Sequence, residues 1–146
     1  MKYIMVIWAL LACLPVKARY GWHVGVITGE PVGLSMSREV DGNGAYDFAL
    51  GWDLSDGGFV HMHGDRVWYY RLILDKNQAL PVYAGAGVRL RLGRKAGISA
   101  RAPLGTRYVF RPHPFEAFLE IVPTLTLVPA TALDLKWALG VRYIWP

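Results

Sequence analysis

Residues 82–92 alternate with period two: Val82, Ala84, Ala86, Val88, Leu90 and Leu92 on one parity, Tyr83, Gly85, Gly87, Arg89 and Arg91 on the other. Successive side chains leave opposite faces of a strand, whereas a helix would scatter both sets around its circumference. Residues 133–145 repeat the arrangement, with Leu133, Leu135, Trp137, Leu139, Val141, Tyr143 and Trp145 opposed to Asp134, Lys136, Ala138, Gly140 and Arg142. The same parity predicts strands over about 20–28, 32–37, 45–54, 59–70, 98–110 and 115–126. Turn signals separate them, among them Gly29-Glu30-Pro31, Asp41-Gly42-Asn43-Gly44, Asp75-Lys76-Asn77-Gln78 and Arg111-Pro112-His113-Pro114. The expected fold is therefore all-β: eight strands in an antiparallel up-and-down meander, with no linker and no second domain.

The chain is 53% hydrophobic, a share that would suit a helical membrane protein. A helix crossing a bilayer needs about 20 consecutive apolar residues. Beyond residue 18 the longest stretch without Asp, Glu, Lys or Arg is Ile121–Leu133, and it contains Pro123 and Pro129. Residues 1–18 read as a secretory signal peptide: Lys2, an apolar run from Tyr3 to Leu14, then small residues at Val16 and Ala18. Leu10-Leu11-Ala12-Cys13 also resembles a lipoprotein box, which would make Cys13 a lipidated N-terminus. Cleavage after Ala18 would leave residues 19–146 as one domain without cysteine. It would also lower the net charge from +5 to +3, too little to imply a nucleic-acid partner.

Alternation alone does not say which face looks inward, since a soluble lipocalin-like barrel and an outer-membrane barrel alternate in opposite senses. Volume decides. The apolar faces carry roughly forty side chains, many of them Trp, Tyr, Phe or Leu, and an eight-stranded interior has room for far fewer. The other face mixes glycines (Gly21, Gly25, Gly33, Gly51, Gly85, Gly87, Gly105, Gly140) with charges, as a narrow polar lumen requires. Aromatic residues gather near strand ends: Tyr20 and Trp22, Trp52, Trp68 and Tyr70, Tyr108 and Phe110, Tyr143 and Trp145. These features predict a transmembrane β-barrel, whose closed sheet pairs every backbone group without an edge. Arg66 is the exception. It shares the parity of Val60, Met62 and Trp68, so it either reaches along the outer face to an interface or follows a bulge that shifts parity.

Five blocks, Gly29–Ser35, Ala49–Trp52, His61–Trp68, Phe118–Pro123 and Gly140–Tyr143, resemble those of a small, uncharacterised outer-membrane β-barrel family of Gram-negative bacteria. The resemblance covers nearly all of residues 19–146 and implies the eight-stranded architecture of OmpA-type and OmpX-type barrels. Gly140, Tyr143 and Trp145 resemble the C-terminal signal that directs such proteins to the barrel-assembly machinery. Arg66, where an apolar residue is expected, and Pro146, after the terminal aromatic residue, depart from the pattern. The family supplies no catalytic residues.

By parity the lumen face carries Asp47, Asp53, Asp65, Glu116, Glu120 and Asp134 against Arg89, Arg91, Arg101, Arg107, Lys136 and Arg142, with His23, His61 and His63 besides. Balanced charge in a poorly solvated space is what a cross-strand ion-pair network needs, because an unpaired buried charge is costly. The main expectation is a structural plug. His61, His63 and Asp65, spaced two apart on one face, form the alternative candidate, a metal or acid–base site. Ser35, Ser37, Ser55 and Ser99 lie in no nucleophile motif, and Gly85-Ala86-Gly87 has strand periodicity rather than the context of a phosphate loop.

The expectation is thus a non-enzymatic outer-membrane barrel without a cofactor, with a structural or interaction role and outer-membrane lipids around it. A narrow channel, a lipid-modifying acyl hydrolase and a soluble ligand-binding barrel are the alternatives. With both chain ends periplasmic, the outward connections would be Gly29–Pro31, Leu54–Gly58, Gly93–Lys95 and Leu127–Ala132, and the longest connection, Arg71–Leu80, would face the periplasm.

Overall fold

The computed structural model describes residues 21–29, 32–40, 42–53, 58–110 and 113–145. The expected signal peptide, with Cys13 and Ala18, lies outside these residues, as do Tyr20, Leu54, Ser55 and Pro146. The strands are β1 (Trp22–Gly29), β2 (Gly33–Glu39), β3 (Gly44–Asp53), β4 (Phe59–Asp75), β5 (Gln78–Leu92), β6 (Gly97–Arg101), β7 (Leu104–Phe110), β8 (Phe115–Val128) and β9 (Ala132–Trp145). All pairings are antiparallel, and no helix occurs among the described residues. Sequence neighbours pair except β6 and β7, which both pair with β5 and with β8; β1 also pairs with β9, and the sheet closes in a ring.

The segment expected as one strand over 98–110 is two, β6 and β7, yet they form a single stave. Both keep the same register on β5 (Gly87 opposite Arg101, Ala84 opposite Leu104) and on β8 (Arg101 opposite Thr124, Leu104 opposite Ile121). The interruption falls where prolines remove ladder donors: Pro103 on this stave and Pro123 on β8 lack an N–H. Their carbonyls still accept, from Gly85 N–H at 2.9 Å and from Ala102 N–H at 3.0 Å. Eight staves therefore make up the ring.

The expected long connection Arg71–Leu80 is also strand. Arg71 lies opposite Pro81, Leu72 opposite Leu80 and Ile73 opposite Ala79, with a register shift between Ile73 and Asp75 before the turn at Lys76-Asn77. Apolar Leu72, Ile73 and Leu74 extend the ladder, and Asp75 closes it by accepting from Lys76 N–H at 2.7 Å. This hairpin projects on the side of the ring that carries Trp22 and Trp145.

The staves are staggered. Moving across the sheet from His23 through Ser37, Asp47, Asp65, Gly87, Arg101 and Thr124, each opposite the next, leads to Asp134 on β9. The residue on β9 opposite His23 itself is Ile144, ten positions further along. Closure of the sheet requires such a stagger, and with it the strands tilt against the ring axis.

Apolar side chains face out. Val26, Leu34, Leu50, Trp52, Leu119, Ile121, Leu139 and Val141 are exposed, while His23, Asp47, His63, Asp65, Arg101, Glu116, Glu120 and Arg142 are buried inside. The interior is less polar than alternation suggests, because Ile27, Val67, Tyr83, Phe118 and Val122 are buried there too. Phe118 fits because its cross-strand partner is Gly140: a Cβ at that position would run into the phenyl ring. Around Arg66 the β3–β4 register is unbroken from Gly44–Trp68 to Asp53–Phe59, so no bulge shifts its parity. Arg66 lies on the outer face, its guanidinium 5.0 Å from the ring centre of Tyr46 and 5.5 Å from that of Trp68.

Candidate functional site: the charged interior

Strand alternation delivers charges from six staves into the ring, and there they form two carboxylate-centred groups. In the first, Glu116 receives Arg142 Nη1 at 3.1 Å, Arg107 Nη1 at 3.2 Å and His23 Nδ1 at 3.1 Å. Arg142 is the hub. It lies opposite Glu116 on β8 and Gly25 on β1, and its side chain reaches β2 and β3. There its Nε donates to Ser35 Oγ at 2.9 Å and its Nη2 to Asp47 Oδ2 at 3.4 Å, while Ser37 Oγ donates to Asp47 Oδ1. The guanidinium carbon also stands 4.0 Å from the Phe118 ring centre. Arg107 adds Glu39 at 2.9 Å and lies 3.8 Å from the Tyr69 ring centre.

The second group centres on Arg101. Its Nε is 3.0 Å from Asp65 Oδ1, its Nη2 donates to Glu120 Oε1 at 3.1 Å, and its Nη1 contacts His63 Nδ1 at 2.8 Å. Tyr83 Oη donates to the other oxygen of Glu120 at 2.8 Å. Arg101, Asp65 and Glu120 are all buried, so every ionised atom here depends on its protein partners.

The histidines take different roles. Arginine has no acceptor, so the ring nitrogen facing Arg101 in His63 must be an unprotonated acceptor, as must Nδ1 of His61, to which Arg89 donates. His23 Nδ1 faces a carboxylate and donates. His63 Nε2 is 3.7 Å from Asp65 Oδ2, but Arg101 already occupies the other oxygen of that carboxylate. The expected alternative of His61, His63 and Asp65 as a metal or acid–base site therefore has guanidinium groups on two nitrogens that a metal would use. No group of three or more His, Cys, Asp or Glu that could hold a metal ion occurs among the described residues.

Of the residues expected in the lumen network, Asp47, Asp65, Arg101, Arg107, Glu116, Glu120 and Arg142 join the two groups. Arg89 and Arg91 lie toward the opposite end, Arg89 on His61 and Arg91 with its guanidinium carbon 3.9 Å from the Phe59 ring centre. Asp134 departs from expectation. It pairs with Lys136 at 3.0 Å where β9 runs past the enclosed part of the ring, and its side chain is 60% exposed. Gly140 faces in beneath Phe118, whereas Tyr143 and Trp145 lie on the outer parity and stack edge to face, centroids 6.0 Å apart. The serines are hydrogen-bonded within the interior: Ser35 to Arg142, Ser37 to Asp47 and Ser99 to Thr126.

Sequence reasoning missed Glu39, Tyr83, Ser35 and Ser37 as network members. Glu39 continues the inward parity of Gly33, Ser35 and Ser37, so extending β2 by two residues would have found it. No protein-family model, curated protein or solved structure matches the chain.

Proposed function

We propose that the chain is an eight-stranded outer-membrane β-barrel whose ion-paired interior closes the pore, a structural and interaction protein rather than a catalyst. One observation carries this reading: the distribution of side chains is inverted, with Trp, Leu, Val and Ile outside and Arg, Asp, Glu and His inside. In water such a surface is unstable, because monomeric soluble proteins expose apolar patches of only a few hundred Å². In hydrocarbon it is the favourable arrangement, since the closed ladder leaves no strand edge and the carboxylates of the two interior groups are met by arginines. The side chains that crowd the interior, Phe118, Val67, Tyr83 and the arginines, argue against a conducting path.

The test is insertion. The protein should be recovered in the outer-membrane fraction and should migrate differently on gels before and after heating. Recovery as a soluble periplasmic protein would overturn the proposal. In planar bilayers it should remain silent, and steady currents from the unaltered chain would replace the plug with a channel.

A further inference from the structure

The outer face of β1–β4 carries no charge over two successive rows, Val24–Met36–Phe48–Gly64 and Val26–Leu34–Leu50–Met62, and at one border of that belt it changes. Crossing the sheet there, Trp22 lies opposite Arg38, Arg38 opposite Tyr46, and Tyr46 opposite Arg66, all on the outward parity. Arg38 has its guanidinium carbon 5.0 Å from the Trp22 ring centre, and Arg66 stands at the same distance from Tyr46. Neighbouring strands are about 4.8 Å apart, so the two arginines bracket Tyr46 with backbones about 10 Å apart. The row lies at the aromatic end of the ring, where Trp22 faces Trp145 and Trp68 stands one step beyond.

The next row into the belt is Val24, Met36, Phe48, Gly64 and Val88, each opposite the next. Gly64 breaks the apolar wall. With no side chain there, a groove of about 630 Å³ opens, lined on its outer side by Met36, Phe48, Leu50, Met62, Val88 and Leu90. In the strand register the Arg38–Tyr46–Arg66 row is the next outward row toward the aromatic end.

We infer that this surface is a binding site for one anionic phospholipid. Its phosphate is held between Arg38 and Arg66 over the edge of Tyr46, and an acyl chain fills the groove at Gly64. Two independent features point to this occupant. Two arginines on either side of Tyr46 in one outward row suit a phosphate, each guanidinium resting on an aromatic ring, Arg38 on Trp22 and Arg66 on Tyr46. A membrane-facing groove directly below suits a hydrocarbon chain, which neither a free phosphate nor a soluble partner would supply. Arg66, the one basic residue that interrupts the outward apolar pattern of β4 below Tyr70, has a role in this arrangement. The inference rests on the membrane reading above, and with both chain ends periplasmic, as expected from the sequence, the site lies in the periplasmic leaflet.

The full-length protein in detergent would be titrated with phosphatidylglycerol or phosphatidylcholine and lipid retention read by native mass spectrometry. The unaltered chain should retain phosphatidylglycerol at least tenfold more strongly than phosphatidylcholine. Each basic residue near a lipid surface contributes about fivefold, so Arg38→Gln/Arg66→Gln should lose most of that preference. Gly64→Leu should weaken retention of both lipids while leaving the preference between them. Arg71→Gln/Arg94→Gln, with the same loss of charge elsewhere, should change neither. Equal retention of the two lipids by the unaltered chain would overturn the site, as would full competition by millimolar inorganic phosphate. Heat-modifiable insertion into pure phosphatidylcholine vesicles separates the two failures. If insertion succeeds without lipid preference, only the site falls, and if insertion fails, the membrane reading falls with it.

Discussion

Arg142 and Arg66 occupy strands of the same ring, and their surroundings are opposite. Arg142 is buried and draws acceptors from three other strands: Ser35, Asp47 and Glu116. Arg66 looks outward and rests beside the faces of Tyr46 and Trp68. Burying a guanidinium such as Arg142 inside the ring is costly unless acceptors, here carboxylates and a hydroxyl, meet its donors. On the outer border, in the membrane placement proposed above, the headgroup region would solvate the cation, and aromatic rings would need only to fix its position. The same residue type thus acts as a cross-link in one place and as a surface anchor in the other.

This contrast predicts unequal costs. Arg142→Met should destabilise the fold most, by about 3–5 kcal/mol, since it leaves buried carboxylates short of a partner. Urea unfolding in lipid vesicles measures it, and adding Glu116→Gln should recover part of the loss. A cost under about 1 kcal/mol would mean that the interior arginines are not cross-links. Gly140→Val should cost about 1–3 kcal/mol by overpacking against Phe118. Phe118→Leu in the same chain should relieve it, and failure of that rescue would place the strain elsewhere.

Tyr83→Phe leaves Glu120 with Arg101 but without the phenol donor, an expected loss of about 1.5 kcal/mol. Equal stability of the variant would show that the hydroxyl is dispensable. The smallest effect belongs to the outer arginine: Arg66→Leu should change stability by no more than about 1 kcal/mol, against the several expected for Arg142. A loss as large as that of Arg142→Met would erase the distinction between the two faces.

Parity alone sorted these residues correctly by face and poorly by height. Asp134 and Glu116 share inward parity on adjacent staves, yet Glu116 is buried and Asp134 stands exposed beside Lys136. Arg89 and Arg91 were expected in one network with the carboxylates of the two groups, and the structure sets them toward the other end, Arg89 on His61 and Arg91 over the Phe59 ring. The buried Phe118 and Tyr83 were legible as inward by parity, but only their partners explain them: Gly140 makes space for one, and Glu120 accepts from the other. The interruption at Ala102-Pro103 was hidden because inward parity runs through it unbroken, from Ser99 and Arg101 to Pro103 and Gly105.

The sequence by itself determined most of the strands, their order along the chain and the side of the sheet to which their residues point, because backbone geometry imposes period two locally, whatever the rest of the chain does. Only the tertiary structure decided which charges meet. The ring closes with a stagger of ten residues between the trail from His23 and its own β9 partner, and this offset sets Arg142 opposite Gly25 of β1, within reach of Ser35 and Asp47, and carries Asp134 beyond the enclosed interior. That offset is a property of all eight staves together, so no single segment records it.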